Sequence, residues 1–146
     1  MSSLTERVRS TTVTDVEEVP ELAFVRPLPG FAELRRFVLV EISGEDGQEP
    51  VLFELRSLEE PAVRFLAAVP TAFFPDYAFE LDEAECAELD LHDEADALVL
   101  VLLTVGREPG ATTANLLAPV VVNARTRAAA QVILSGSDWP VRAAVT

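Results

Sequence analysis

The strongest constraint in this sequence is a series of short apolar runs separated by turns that contain proline or glycine. Residues 97–105 (ALVLVLLTV) form the longest of these runs, and their valine and leucine content predicts a strand that is buried on both faces. The turn signals recur at fairly regular spacing, and no long helical pattern lies between the strands. Strands that alternate with long helices form parallel sheets, so this pattern instead favours a compact antiparallel barrel or sandwich.

Each predicted strand is followed by a turn signal. The strands cover residues 36–42, 51–56, 63–69, 97–105, 112–123 and 130–134, and short strands interrupted by Pro20 are predicted within residues 12–25. Residues 26–31 (RPLPGF) form a turn in which Gly30 is free to adopt a positive φ. Residues 43–50 and 124–129 are predicted as hairpin connections, and Pro119 implies an edge position or a bulge in its strand.

A single helix is predicted at residues 82–89 (DEAECAEL). Asp82 suits the N-cap, and Glu85 stands three residues later, which is the spacing of a capping box. Residues 57–60 (SLEE) have the same spacing, but Pro61 follows at once, so a turn is predicted there. The predicted fold class is therefore mainly β: a compact antiparallel β-barrel-like single domain with one short helix.

A length of 146 residues fits one domain. Residues 1–11 are predicted to form a flexible N-terminal tail, and residues 12–146 form the barrel domain. The N-terminus lacks the apolar region of a signal peptide, and the longest apolar run falls far short of the ~20 residues of a membrane span. We therefore expect a cytoplasmic protein without a membrane partner. The sequence leaves the oligomeric state open, and we expect a monomer.

The charge balance bears on the class of partner. The chain has 25 acidic and 11 basic residues, all of the latter arginine, and a formal net charge of −14. Nucleic-acid backbones attract positive surfaces, so no direct binding of nucleic acid is expected. A basic protein partner is favoured, because opposite fields steer encounter. The alternative is that the charge only keeps a small protein in solution.

The residue types that catalysis and metal binding need are scarce. His92 is the only histidine and Cys86 the only cysteine, so N and S donors cannot supply a four-ligand zinc site. Cys86 lies between Glu85 and Glu88, and nearby carboxylates raise the pKa of a thiol rather than activate it. The acidic run lacks the spacing of an EF-hand loop, and no glycine-rich phosphate loop is present. We expect no cofactor, no metal and no catalytic residue.

Several stretches of the chain resemble the FliW-type flagellar assembly factors. They are LPGF at residues 28–31 with RFVL at 36–39, SLEEP at 57–61, FFPDY at 73–77 with FEL at 79–81, and ANLLAPVVVN at 114–123, continuing through Thr126-Arg127 to QVIL at 131–134. The similarity runs from about residue 14 to about residue 142. No single stretch is decisive, but their shared order and spacing make the resemblance specific.

The resemblance implies an antiparallel β-barrel-like fold, in agreement with the strand pattern. It also implies a function that is not enzymatic. Members of that family bind the CsrA-type carbon storage regulator, a small RNA-binding repressor of translation, and so relieve the repression of flagellin synthesis. They also bind flagellin, which sets up a feedback through partner switching. The partners implied for this chain are a CsrA-type regulator and flagellin.

The chain departs from the family pattern at a few positions, which bear on partner contacts more than on the fold. The usual glycine before LPGF is Pro27. Glu54 replaces a common aromatic residue, Arg56 replaces a glutamine, and Arg64 stands where a small residue is usual. The turn that runs into residues 128–130 contains three alanines instead of lysine or glycine.

Aromatic and amide side chains are the first candidates for partner binding. Phe74 and Tyr77 are candidate interface anchors, since aromatic residues dominate binding hot spots; the alternative is a place in the core. Asp76 and Tyr77 follow a proline and are expected on the outside. Asn115 and Asn123 are candidates for presenting amide groups to a partner, and the alternative is that they stabilise turns or bulges through local backbone hydrogen bonds.

Charged side chains give the remaining candidates. Glu83 and Glu85, together with Glu88, are expected to face a basic regulator surface; the alternative is a solvated helix face. Arg125 and Arg127 lie at a predicted hairpin tip. They either pair with an acidic segment of a partner or with carboxylates of this chain.

Three classes of function follow from the sequence. The preferred one is an antagonist of a translational regulator with a second, flagellin-binding role. The second is a flagellin-specific chaperone without regulator contact, because the departures from the family pattern are compatible with the loss of binding to one partner. The third is a hydrolase on a small barrel, which the lack of any nucleophile–base pair disfavours.

Overall fold

The computed structural model describes residues 21–42, 51–108 and 110–145. Within these residues the chain forms nine strands and one α-helix, α1. The strands are β1 (Glu21–Phe24), β2 (Arg36–Glu41), β3 (Leu52–Ser57), β4 (Arg64–Ala68), β5 (Ala97–Thr104), β6 (Thr113–Ala114), β7 (Val120–Asn123), β8 (Ala128–Gln131) and β9 (Ala143–Ala144), and α1 is Glu83–Glu88. In this part of the chain no helix is long and apolar enough to cross a membrane.

The strands close into a ring. Neighbouring strands follow the order β4-β3-β2-β1-β8-β7-β5, and β4 also pairs with β5, so seven strands form a closed barrel. β6 pairs with the C-terminal end of β5, and β9 pairs with β6. These two strands extend the sheet beyond the ring. The prediction of a mainly β, antiparallel barrel-like fold is confirmed. One pairing departs from the antiparallel pattern, because β1 runs parallel to β8. Most of the chain lies between these two strands in the sequence, which gives a parallel pair the long connection that it needs.

Most predicted strands are present, with bounds that shift by a few residues. The prediction of one strand over residues 112–123 is wrong, because residues 115–119 separate β6 from β7. In this break Asn115 Oδ1 accepts hydrogen bonds from the backbone N–H groups of Leu117 and Ala118, both at 3.1 Å. Pro119 has no N–H to donate to a ladder. β9 is a strand that the sequence pattern does not predict.

The predicted helix is confirmed, since the carboxylate of Asp82 accepts a hydrogen bond from the N–H of Glu85 at 2.8 Å. The predicted turn after β3 is also present. There Ser57 Oγ accepts hydrogen bonds from the N–H groups of Glu59 and Glu60 at 3.2 and 3.0 Å. Gly30 adopts φ 86°, as its turn requires. The predicted tail at residues 1–11, the strands before Pro20 and the connection at residues 43–50 lie outside the described residues.

Alternate residues of the ring strands fill the barrel interior. On β2, Phe37 and Leu39 are buried, whereas Arg36 and Val38 face outward. Phe37 contacts Phe24 edge-on, with ring centroids 5.2 Å apart. The buried members of this interior core are Leu22, Phe24, Leu28, Phe37, Leu39, Phe53, Leu55, Ala67, Leu98, Leu100, Val120, Val122 and Ala129.

A second core lies outside the ring. On β5, Leu98 and Leu100 belong to the interior core, while Val99 and Val101 belong to the outer one. The residues that follow β4 pack here against the outer faces of β5, β7 and β8. This arrangement confirms the prediction of a strand that is buried on both faces, and it explains why the run at residues 97–101 has no polar positions.

Candidate protein-binding surface

Residues 76–96, which we name the acidic segment, cover the outer core. The segment carries ten acidic residues and no lysine or arginine. Its apolar residues Tyr77, Leu81, Leu89 and Leu91 are buried in the outer core. Its acidic side chains are therefore held on the side that faces away from the barrel, and most of them are exposed.

Tyr77 anchors the start of the acidic segment. The expectation that Tyr77 lies on the outside is wrong, because the residue is only 3% exposed. Its hydroxyl donates a hydrogen bond to the carbonyl of Leu116 at 2.7 Å. Its ring contacts Trp139 edge-on, with ring centroids 4.8 Å apart. Trp139 Nε1 donates a hydrogen bond to the carbonyl of Ala78 at 3.1 Å. Burial raises the pKa of Tyr77, so the phenol stays protonated and remains a donor.

Tyr77→Phe is expected to lower the free energy of unfolding by about 1.5 kcal/mol, because the buried carbonyl of Leu116 loses its donor. The ring contact with Trp139 is retained, so the tryptophan fluorescence of the folded state should not change. Urea unfolding followed by that fluorescence measures the effect. An unchanged midpoint would show that the hydrogen bond does not hold the segment.

Phe74 and Asp76 belong to the same FFPDY motif as Tyr77 but have different environments. Phe74 is half-buried and packs against the outer core, so only part of its side chain is available to a partner. Asp76 is exposed, as expected. Glu80 is exposed as well and is a candidate that the sequence analysis did not single out. Its place in the same acidic run is the sequence signal from which it could have been identified.

Arg26 ties helix α1 to the barrel. Arg26 Nη2 donates to both carboxylate oxygens of Glu85, at 2.9 and 3.1 Å, and to the carbonyl of Gln131 at 3.3 Å. Arg26 Nη1 pairs with Glu88. Two of the three helix carboxylates expected to meet a partner are thus paired within the chain, and Glu83 alone is exposed without an ion pair among the described residues.

Seven of the ten acidic residues of the segment fall into two groups by their ion pairs. Of the other three, Asp82 and Asp93 accept backbone hydrogen bonds at helix N-caps, and Glu94 is buried. Glu85, Glu88, Asp90 and Asp96 pair with arginines that come from elsewhere in the chain. Asp76, Glu80 and Glu83 are exposed, and no arginine lies within salt-bridge distance of them in the described part of the chain. These three are exposed carboxylates that, within the described ranges, neither pair with an arginine nor cap a helix, and we take them as the candidates for contact with a partner.

Cys86 lies on α1 and is half-buried. Burial raises its pKa, and the charges of Asp82, Glu85 and Glu83 raise it further. We expect iodoacetamide to alkylate Cys86 more slowly in the folded protein than in the urea-unfolded protein, because less thiolate is present at neutral pH. Raising the pH should bring the alkylation rates of the folded and the unfolded protein closer together. Equal rates in both states at neutral pH would contradict this account of the thiol.

Asn123 ends β7 and is fully buried, with 0% exposure. Its Nδ2 donates to the carbonyls of Leu89 and Asp90, both at 2.9 Å. Its Oδ1 accepts hydrogen bonds from the N–H groups of Arg125 and Thr126 at 2.9 and 3.1 Å. The interpretation that Asn123 presents its amide to a partner is therefore wrong. The residue instead joins the end of α1 to the β7–β8 turn.

Asn115 also acts within the chain. It is half-buried, and its Oδ1 accepts the two backbone hydrogen bonds described above for the break between β6 and β7. This is the local role that the sequence analysis named as the alternative. Its binding of a partner stays a prediction.

The β7–β8 turn brings Arg125 to the acidic segment. Arg125 lies 3.5 Å from the Asp90 carboxylate and 3.6 Å from that of Asp96. Asp90 also contacts His92 Nε2 at 2.7 Å. The pKa of Asp90 is lowered mainly by its hydrogen bond with His92 and to a smaller extent by Arg125. Pairing with carboxylates of this chain, one of the two expected roles of Arg125, is thus observed.

Arg127 is exposed at the end of the same turn and has φ 71°. Positive φ is uncommon for residues with a Cβ atom, so the turn holds this backbone in a strained conformation. Its N–H donates to the carbonyl of Asn123 at 2.6 Å, which closes the turn. The side chain of Arg127 remains a predicted partner contact.

The exposed functional groups of this surface are mainly carboxylates. In the described ranges no group of three or more His, Cys, Asp or Glu side chains is arranged to hold a metal ion. His92 is exposed and bonded to a carboxylate, and Cys86 has a raised pKa. What the surface offers is an array of carboxylates on a rigid support, which is complementary to a cationic protein surface.

The chain is similar to known proteins over most of its length. The family described as FliW protein matches residues 5–145. A flagellar assembly factor FliW of Bacillus licheniformis is 37% identical over 126 residues, which are 86% of this chain and 85% of that protein. One of Treponema pallidum is 35% identical over 124 residues, 85% of this chain and 79% of that protein. A crystal structure of the flagellar assembly factor FliW matches with a TM-score of 0.79 and 32% identity, covering 87% of this chain and 86% of that chain.

Proposed function

This chain belongs to the FliW family of flagellar assembly factors, and we propose that it binds a CsrA-type translational regulator and flagellin in turn. While it holds the regulator, flagellin messages are free to be translated. When flagellin accumulates and occupies the chain, the regulator is released and translation falls. The protein acts in this scheme as a cytoplasmic binding protein, in a family of assembly factors rather than enzymes.

The observation that carries the proposal is the acidic segment. A repressor that binds RNA presents a positive surface, because RNA affinity depends on neutralising phosphates. Asp76, Glu80 and Glu83 offer exposed carboxylates on a segment that the outer core holds in place. A fixed array of carboxylates binds a cationic surface with little loss of conformational freedom.

The same charge accounts for antagonism. Carboxylates that lie against the cations of the regulator repel RNA phosphates from that surface. The chain itself does not attract RNA, since its net charge is −14. We therefore propose that the regulator contacts this chain and RNA through overlapping positive surfaces.

Displacement of RNA tests the proposal. A fluorescent flagellin leader RNA bound to the regulator is titrated with this protein, and the anisotropy of the RNA is followed. We expect the anisotropy to fall to the value of free RNA and to rise again when flagellin is added. For overlapping surfaces, the concentration that releases half of the RNA should increase with the concentration of RNA.

Two other results separate the competing accounts. Release that does not depend on RNA concentration would place the contact away from the RNA site. RNA that stays bound at saturating protein, in a protein that still binds flagellin, would leave a flagellin-specific chaperone and exclude the regulator as a partner.

A further inference from the structure

Helix α1 buries none of its six residues. A surface helix is ordinarily held by an apolar stripe that faces the core, and a helix this short is not stable by itself. Among the described residues, Cys86 is the one α1 side chain that packs against the outer core. Leu81 and Leu89 are buried, but they lie outside the helix at its two ends. Polar contacts must therefore contribute to the orientation of α1.

Arg26 supplies such contacts from a distant part of the chain. Its guanidinium donates to both carboxylate oxygens of Glu85 and pairs with Glu88. The same group donates to the carbonyl of Gln131 on β8. Glu85 and Glu88 are three positions apart and lie on one side of the helix. Because a planar guanidinium binds carboxylates in a fixed geometry, these bonds hold α1 against rotation and against movement along β8.

The backbone that carries Arg26 is itself fixed to the barrel. The N–H of Val25 donates to the carbonyl of Ala129 on β8 at 2.8 Å. Pro27 has a fixed φ and also restricts the backbone of the residue before it. Leu28 is buried in the interior core. The guanidinium of Arg26 therefore reaches α1 from a rigid base.

The start of the acidic segment has a separate anchor. The hydrogen bonds of Tyr77 and Trp139 described above hold it, and neither bond involves Arg26. Asp76 is the sequence neighbour of this anchor, whereas Glu83 is the first residue of α1. The open carboxylates at the two ends of this stretch are thus placed by two different sets of contacts.

We propose that Arg26 is a positioning residue for binding of the regulator, because it holds α1 where Glu83 meets a cation of the partner. This inference rests on the proposed function and names one more residue on which that site depends. Arg26 acts through Glu85 and Glu88 and does not itself touch the partner. When α1 loosens, Glu83 has to be ordered at the moment of binding, and that cost reduces what its carboxylate contributes. Asp76 keeps its contribution.

Double-mutant cycles test the assignment. The loss of regulator affinity caused by Glu83→Lys is measured in the wild type, in R26A and in E85Q/E88Q. We expect a loss of about tenfold in the wild type and of about threefold or less in the two variants. R26A makes the net charge more negative and E85Q/E88Q makes it less negative, so a shared result cannot come from net charge. Asp76→Lys is the matched control and should cause the same fold loss in all three backgrounds.

Hydrogen exchange tests the physical basis without a partner. In R26A the amide of Leu89, which closes the last turn of α1, should exchange faster than in the wild type, while the amide of Tyr77 should not change. Arg26→Lys keeps the charge but lacks the geometry of a guanidinium, so its exchange should lie between the two. Equal exchange at Leu89, or an E83K effect that is the same in all three backgrounds, would overturn the positioning role and leave the proposed function intact. A wild-type protein that binds no regulator would instead overturn the proposed function on which the inference rests.

Discussion

Asn123→Ala is expected to lower the free energy of unfolding by about 3 kcal/mol. The substitution removes four hydrogen bonds at a fully buried position. The carbonyl of Leu89 loses the donor observed for it, and that of Asp90 keeps only the contact with Arg125 Nη2 at 3.4 Å. Two N–H groups of the β7–β8 turn lose their acceptor. Chemical unfolding of the variant and the wild type measures the loss, which should also appear as faster hydrogen exchange at the end of α1.

Two further variants make this expectation specific. Asn123→Asp keeps the acceptor for the turn but loses the donor and places a negative charge against two carbonyls, so we expect it to be at least as unstable. Asn115→Ala removes an asparagine of the same kind at a half-buried site, where water replaces the lost bonds, and should cost about 1 kcal/mol. Equal losses at Asn123 and Asn115 would contradict the role assigned to Asn123.

Reversal of the three open carboxylates, D76K/E80K/E83K, is expected to slow association with a CsrA-type regulator by about 100-fold at low salt. These residues are exposed and have no ion pair among the described residues, so the substitutions should leave the unfolding midpoint nearly unchanged. The rate falls because the field that steers a cationic partner is reversed where contact is made. Stopped-flow mixing at low and high salt measures it.

The matched control is E33K/E60K/E108K, which changes the net charge by the same amount away from the acidic segment. These glutamates are also exposed. The control should slow association only slightly, and the difference between the two triple variants should vanish at high salt, because salt screens exposed charges. Equal effects would mean that net charge alone governs the encounter and that the acidic segment is not the contact surface.

Local patterns in the sequence were enough to predict the frame of the fold. The valine and leucine run of β5 indicated a strand buried on both faces because no polar position interrupts it. The capping residues Asp82 and Glu85 predicted the start of α1, since a cap and its partner are neighbours in the chain. The break at residues 115–119 was not predicted, although its two signals are local: a turn at Asn115 and a bulge at Pro119 were both named as alternatives, and the apolar residues around them still favoured one continuous strand.

The site was less predictable because its contacts join distant parts of the chain. Tyr77 follows a proline in an acidic run, and only the approach of Leu116 and Trp139 makes it a buried residue. Arg26 pairs with Glu85 across 59 positions of the sequence, which no local pattern indicates. A sequence reveals that carboxylates are abundant, but ion pairing in three dimensions decides which of them remain open to a partner.

Calorimetric titration of this protein into the CsrA-type regulator of the same organism, at low and at high salt, tests the central claim most directly. We predict a dissociation constant of ~1 μM or tighter at low salt, equivalent to about −8 kcal/mol. Binding should weaken steeply at high salt, because exposed carboxylates make the contact. The absence of heat at either salt, in a protein that binds flagellin from the same cell, would contradict regulator antagonism for this chain.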